Sequence, residues 1–199
     1  MTNVPKSSIP TLPPESPQGI PIAAERAAKR VGWGSWLTFW GQLLVGAVTL
    51  VLLGLAVISR WIDDGDRTIW VGLSIVLAIA SLVTLLISVY LAFRLTRLAR
   101  YLMVPQLTPT PSPSNINNQA TLALLVSTVG LALGLLGAEL STVSLLAKTF
   151  SNPQGAALPT AESTLRVLDV LVILVNSGLA LVHFGAQVVN FWILRQEKS

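Results

Sequence analysis

The stretch "LDVLVILVNSGLALVHFGAQVVNFW", residues 168–192, decides the fold of this chain. It contains no Asp, Glu, Lys or Arg after Asp169, and it is long enough to cross a hydrocarbon core, which takes about 20 apolar residues. Polar side chains nevertheless recur at every seventh position, at Asp169, Asn176, His183 and Asn190. Because seven residues are two helical turns less about 20°, these four share one face. The pattern predicts a membrane helix with a polar stripe.

The stripe spans the thickness of a membrane. At about 1.5 Å per residue, Asp169 and Asn190 lie about 31 Å apart, close to the ~30 Å depth of a bilayer core. These two residues therefore mark the membrane edges, and Asn176 and His183 lie inside. We expect the stripe to point into a helix bundle, away from lipid.

The remainder of the chain repeats this apolar character. Over half of its 199 residues are hydrophobic and only 11% are charged, whereas a soluble domain carries about 25%. The charges are also segregated, so that long stretches contain none. We therefore predict an all-α integral membrane protein with four transmembrane helices, at about residues 36–59, 68–93, 119–147 and 169–194.

The basic residues predict how these helices are oriented. With four spans, the N-terminal tail, the loop after the second helix and the C-terminal tail share one side and carry nine Lys and Arg. The opposite side carries four. Cytoplasmic segments are enriched in Lys and Arg, so both termini are predicted to be cytoplasmic.

Two segments outside the spans are rich in proline. Residues 1–21 contain six prolines and lack the apolar core of a signal peptide, so we predict a disordered cytoplasmic tail. Residues 105–118 form a predicted Pro/Ser-rich cytoplasmic linker. The domain organisation is thus a tail at 1–21 followed by a four-helix membrane domain at 22–199.

Several functions are disfavoured by composition. There are no cysteines, which excludes disulfides and thiol catalysis, and no second histidine for a two-histidine metal centre. The net charge of +4 reflects membrane orientation, since no nucleic-acid motif accompanies it. No enzyme motif and no cofactor motif is present, so we expect neither catalysis nor a resident cofactor.

Small residues at helical spacing predict how the helices pack. Lipid is as apolar as leucine, so close approach of small side chains, rather than burial of Leu, holds membrane helices together. The second and third spans carry such stripes, which comprise Ser74, Ser81, Ser88, Gly130, Gly134, Gly137 and Ser141.

Polar groups inside the spans are the candidate functional residues, because they are costly in lipid. Those on a transport path or inside the membrane are predicted to be Glu139, His183, Asn176, Gln42 and Gln187. Gln42 and Gln187 lie at similar depth and could form a pair. The amides fit either interhelical hydrogen bonding or a solute path. Lys148 and Asp169 are expected either to pair at the outer interface or to extend separately toward the headgroups. Three arginines that extend the second helix are expected to contact lipid headgroups, namely Arg94, Arg97 and Arg100.

Glu139 is the strongest of these candidates. It lies about nine residues, or 13 Å, below the outer interface, between the depths of Asn176 and His183. With His183 it offers the donors of a transient divalent-metal site. It also lies about 160° around its helix from Gly137 and Ser141, so if the small face packs inward, Glu139 meets a different neighbour, across an oligomer contact.

Several short motifs, in order along the chain, carry a family resemblance. They are "FWGQL" at 39–43, "LLGAELSTVSLLAK" at 135–148, "LDV" at 168–170 and "HF" at 183–184. Over residues 26–195 the chain resembles the chloroplast inner-envelope family called permease in chloroplasts, also described as the twenty-one-kilodalton Tic import component. Its cyanobacterial relatives form a family catalogued as of unknown function. The resemblance implies a four-helix membrane protein linked to iron transport or to protein import.

Two functions follow as expectations. The first is a small multi-pass permease, or a permease subunit, for a small solute or a divalent metal, with iron favoured by the resemblance. The second is a non-transporting scaffold or assembly factor for membrane protein translocation or complex biogenesis. Either would act in the cytoplasmic or thylakoid membrane of a cyanobacterium-like cell, as a homo-oligomer or with other membrane proteins.

Overall fold

Four long helices make up the computed structural model, which describes residues 22–62, 69–102, 113–151 and 167–196. Helix α1 runs from Ile22 to Ile62, α2 from Ile69 to Leu102, α3 from Pro113 to Ser151 and α4 from Val167 to Gln196. All four are long and apolar enough to cross a membrane, and all described residues are helical. The prediction of an all-α chain with four helices long and apolar enough to span a membrane is confirmed for the described residues. The predicted tail at 1–21 lies outside the described residues.

Two helices begin earlier than the apolar pattern alone predicts. Helix α1 starts at Ile22, so the alanine-rich segment before the first span is continuous with it. Helix α3 starts at Pro113, so the last part of the predicted linker is helical rather than irregular. Proline is compatible with the first turn of a helix because its missing N–H has no intrahelical partner there. The linker residues 105–112 lie outside the described residues.

The helices form an up-down-up-down bundle. Each helix packs against its neighbours in the ring α1–α2–α3–α4, and α2 and α4 also touch across the diagonal. One end of the bundle carries Lys29, Arg30, Arg94, Arg97, Arg100 and Arg195, and we call it the basic end. The other end carries the facing residues Lys148 and Asp169.

The bundle is built with large apolar side chains outside and small or polar ones inside. Side chains such as Leu44, Leu86 and Leu181 are more than 60% exposed, as expected for a surface that faces lipid. The buried set is dominated by Ala, Ser and a few Leu and Val residues. This distribution lets the backbones approach closely: a Cβ built on Gly134 of α3 would lie 3.0 Å from the backbone nitrogen of Ala180 in α4.

Candidate functional site

The polar stripe of α4 points into the bundle. Asn176 and His183 are 0% exposed, and Asp169 and Asn190 are each 5% exposed. Asn176 and His183 contact α2 and α3, whose serines and glycines recur at the same seven-residue spacing. We call this buried set the polar seam; its members are Gln42, Ser74, Ser81, Ser88, Asn176 and His183.

Asn176 occupies the layer of the polar seam nearer the Lys148–Asp169 end. Its Nδ2 donates to Val172 O at 3.0 Å and to Ser74 Oγ at 3.1 Å. Ser74 in turn donates to Gly137 O at 2.7 Å and also hydrogen-bonds with Ser141. A Cβ built on Gly137 would lie 2.6 Å from Asn176 Cγ, so only glycine fits there. The hydrogen bonds of Asn176 and Ser74 thus connect α4, α2 and α3.

His183 repeats this arrangement two turns further along. Its Nε2 lies 3.2 Å from Ser81 O and 3.4 Å from Thr84 Oγ1. Because a carbonyl only accepts, Nε2 carries the proton and Nδ1 keeps a free lone pair. Ser81 Oγ donates to Gly130 O at 2.9 Å, and a Cβ on Gly130 would overlap the imidazole ring. Asn176 and His183 are therefore each matched to one serine of α2 and one glycine of α3.

Gln42 forms the third layer, and it does not pair with Gln187. Its Nε2 donates to Ser88 Oγ at 2.7 Å, and Ser88 lies 3.4 Å from Ser127 Oγ of α3. Gln187 instead donates to Thr128 Oγ1 at 3.2 Å, on the outer side of the α3–α4 groove. The predicted glutamine pair required both side chains to face the bundle axis as well as to lie at similar depth. Gln187 is turned toward α3 instead.

Three electron-pair donors in the polar seam have no hydrogen-bond partner among the described residues. They are Asn176 Oδ1, His183 Nδ1 and Gln42 Oε1. An unpaired buried acceptor is rare and costs about 1–3 kcal/mol in proteins. All three can bind a cation or accept a hydrogen bond, and they belong to successive layers of the seam.

Glu139 lies outside the polar seam. Its side chain is exposed on the outer surface of α3, while Gly137 and Ser141 on the opposite face are buried. Glu139 and His183 are therefore not brought together within one chain. The cause is the helical geometry noted above, which places Glu139 about 160° from the small residues that pack inward. No group of three or more His, Asp or Glu residues suited to a metal occurs among the described residues.

The predicted interface pair is present at the far end of the bundle. Lys148 Nζ lies 3.2 Å from both carboxylate oxygens of Asp169 and joins α3 to α4. Asp169 is 5% exposed and the Lys148 side chain 27%. The ion pair places a cation beside Asp169, the charged residue of the stripe. A buried carboxylate needs such a partner.

The three arginines at the basic end do not form a single surface. Arg94 and Arg97 line a cleft between α2 and α3, and the Arg97 guanidinium lies 5.7 Å from the centre of the Phe93 ring. Arg100 lines a different cleft, between α1 and α2, with Trp33 and Trp36. Residues three positions apart are separated by about 300° around a helix. Each successive arginine therefore points about 60° away from the previous one.

Some polar residues of the interior were missed by the sequence reasoning. Ser127 continues the small-residue stripe of α3, seven residues before Gly134. Extension of the predicted stripe by seven residues would have included it. Thr84 follows Ser81 by one turn and donates to its carbonyl at 2.7 Å. Ser35 is buried with no partner for its hydroxyl among the described residues, and no sequence signal marks it.

Comparison with known proteins places the chain in one family. No curated protein and no solved structure matches it. One family model does match, over residues 21–197, which covers all four helices and nearly the whole chain. The chain therefore belongs to the family described as protein of unknown function (DUF3611).

Proposed function

We propose that this protein is a permease, or a permease subunit, for a small cationic solute, and that the polar seam is its path. The observation that carries the proposal is the set of three unpartnered buried acceptors, Asn176 Oδ1, His183 Nδ1 and Gln42 Oε1. In a membrane interior such atoms are expensive, and groups of this kind mark substrate and ion pathways. A purely structural core would pair or omit them.

The chemistry of these atoms suits transient contact with a passing cation more than a permanent metal site. One imidazole nitrogen and two amide oxygens bind Fe²⁺ or Mn²⁺ weakly, because no carboxylate joins them within the seam. Conduction needs binding that is strong enough to admit an ion and weak enough to release it, at several sites in series. Successive layers at seven-residue spacing, about 10 Å apart, supply such a series.

The resemblance to permease in chloroplasts supports divalent iron as the first substrate to test. It rests on the motifs at residues 39–43, 135–148, 168–170 and 183–184. The polar seam includes two residues of these motifs, Gln42 and His183. We further propose that the basic end faces the cytoplasm, since nine of the thirteen Lys and Arg residues lie on that side.

The working form is proposed to be an oligomer. Within one chain, Gly130 and Gly137 press against His183 and Asn176, which leaves the seam narrow. Glu139 adds a second reason, because an exposed carboxyl in the hydrocarbon costs a few kcal/mol by insertion scales. A second copy of the chain would remove that carboxyl from lipid, and a two-fold axis beside α3 would bring the two Glu139 side chains together.

Uptake of Fe²⁺ by proteoliposomes under reducing conditions tests the permease proposal. His183→Leu and Asn176→Leu remove the acceptors, and each is expected to lower the initial flux about tenfold or more, the effect of one lost charge-assisted contact. Gln187→Leu is the matched control, since it removes a polar side chain of the same helix outside the seam, and we expect flux within about twofold of wild type. Absence of protein-dependent flux, or equal flux in all four proteins, would refute the proposal. Thermal unfolding of each variant checks its fold.

A scaffold that docks other membrane proteins is the second candidate. The observation that favours it is the sealed packing of α3 against α2 and α4, in which the interior glycines leave no room for an added methyl group. The exposed Glu139 would then meet a partner helix that carries a hydrogen-bonding side chain. Native purification followed by identification of co-purifying proteins separates the candidates. A stable heterologous partner without solute flux favours the scaffold, and a lone conducting oligomer favours the permease.

A further inference from the structure

The cleft between α2 and α3 at the basic end has the chemistry of a ligand site, and neither proposed function uses it. Its volume is about 440 Å³. Arg94 and Arg97 of α2 line one side, and Asn115 and Gln119 of α3 line the other. Two other clefts at this end combine basic and aromatic residues without amide side chains on the opposing helix.

The positive charge in this cleft faces no carboxylate of the described residues. Neither Arg94 nor Arg97 has an ion pair with a carboxylate among the described residues, and none of the residues that line the cleft is acidic. Arg97 is held over the Phe93 ring, at 5.7 Å from its centre. A planar guanidinium fixed in this way keeps its N–H groups free for a phosphate, which it binds with bidentate geometry.

The amide side of the cleft carries an independent sign of a ligand. Gln119 Oε1 is buried and has no hydrogen-bond partner among the described residues. This oxygen can only accept, so it calls for a donor such as a hydroxyl group. A ligand with a phosphate for the arginines and a hydroxyl for Gln119 satisfies both sides of the cleft.

The position of the aromatic residues decides between a lipid and a soluble anion. Tyr90 and Phe93 precede Arg94 in α2, so they lie on the membrane side of the arginines. Tyr90 is 62% and Phe93 45% exposed, which leaves an apolar surface directly below the charged groups. A soluble phosphate would leave that surface unused, whereas an acyl chain would cover it.

We propose that this cleft binds one anionic phospholipid, with its phosphate between Arg94 and Arg97, a headgroup hydroxyl on Gln119 Oε1 and an acyl chain against Tyr90 and Phe93. The site is independent of the polar seam and of any transported solute. Phosphatidylglycerol has the required combination of one negative charge and free hydroxyl groups. Phosphatidylcholine lacks both features and serves as the reference lipid.

Native mass spectrometry of the full-length protein, titrated with these two lipids, tests the site. The double variant R94Q/R97Q is expected to bind phosphatidylglycerol roughly 30-fold more weakly, since each arginine near a headgroup contributes about fivefold. The matched control R30Q/R100Q removes two charges from the same end but from other clefts, and we expect its affinity to change by less than about threefold. All four arginines are exposed, so their replacement spares the core.

Three results would overturn the proposal. An equal loss in both double variants would show that bulk charge alone attracts the lipid. Equal affinity for phosphatidylcholine would remove the role of the negative charge. Displacement of phosphatidylglycerol by an equimolar amount of soluble glycerol 3-phosphate would assign the cleft to a free phosphate instead of a lipid. Selective loss in R94Q/R97Q, with no displacement by glycerol 3-phosphate, supports the site.

Discussion

Two glycines of α3 set the position of Asn176 and His183, two of the buried polar side chains of α4. Gly130 lies against the His183 ring and Gly137 against the Asn176 amide, and in both places a methyl group would collide with the polar side chain. The sequence predicts these glycines as packing residues from their spacing. It does not predict their partners, because the match depends on the register between two antiparallel helices, which no local pattern encodes.

Gly130→Ala is therefore expected to destabilise the protein by about 1–3 kcal/mol, the cost of overpacking a well-packed core. The measurement is thermal or denaturant unfolding in detergent. Gly185→Ala is the matched control, because a Cβ there meets nothing within 4 Å and the substitution should not lower stability. The double variant Gly130→Ala/His183→Ala should recover most of the loss. If Gly130→Ala and Gly185→Ala behave alike, α3 and α4 do not pack as described.

At the scale of helices, periodicity predicts most of the arrangement. The seven-residue recurrence of polar residues in α4 and of small residues in α2 and α3 predicts which faces turn inward, and the buried positions of His183, Ser81 and Gly134 agree with it. Depth along the axis was a weaker guide. It placed Gln42 level with Gln187, and Glu139 between the depths of Asn176 and His183, but rotation about the helix axis separates Gln42 from Gln187 and Glu139 from the other two.

The ion pair between Lys148 and Asp169 is the charged contact that joins α3 to α4. We expect Asp169→Asn to lower stability by about 1–3 kcal/mol, as for a hydrogen bond to a charged group. Lys148→Met should lower it at least as much, since it leaves the buried Asp169 carboxylate without its cation. A double-mutant cycle on unfolding free energies measures the coupling. A coupling energy near zero would mean that the pair contributes nothing to the docking of the two helices.

At the scale of the whole molecule, the up-down-up-down bundle places the first described residue, Ile22, and the last, Gln196, at the basic end. The number of spans follows from composition, because the sequence has four charge-free stretches long enough to cross a membrane. The side on which the basic end lies follows only from the distribution of Lys and Arg. The contents of the bundle interior depend on tertiary packing, which the sequence does not give, whereas the separation of Glu139 from the small-residue face follows from the angle of about 160° between them on α3.

The chain has no cysteines, so single introduced cysteines report orientation without interference. In intact cells, a membrane-impermeant maleimide is expected to label the Thr149→Cys variant and to spare the Arg97→Cys and Arg195→Cys variants. After permeabilisation all three should react. The reverse pattern would place the basic end outside the cytoplasm and contradict the charge-based orientation.

Access of water to the polar seam tests the central claim most directly. Single-cysteine variants Ser81→Cys and Ser88→Cys place a thiol in the seam, and Leu86→Cys, at similar depth, places one on the lipid-facing surface, where Leu86 is 63% exposed. With a small cationic methanethiosulfonate reagent in native membranes, the account predicts modification at residues 81 and 88, slowed by Fe²⁺, and none at residue 86. If the seam thiols remain unreactive while the fold is intact, the interior is sealed and the seam is not a path.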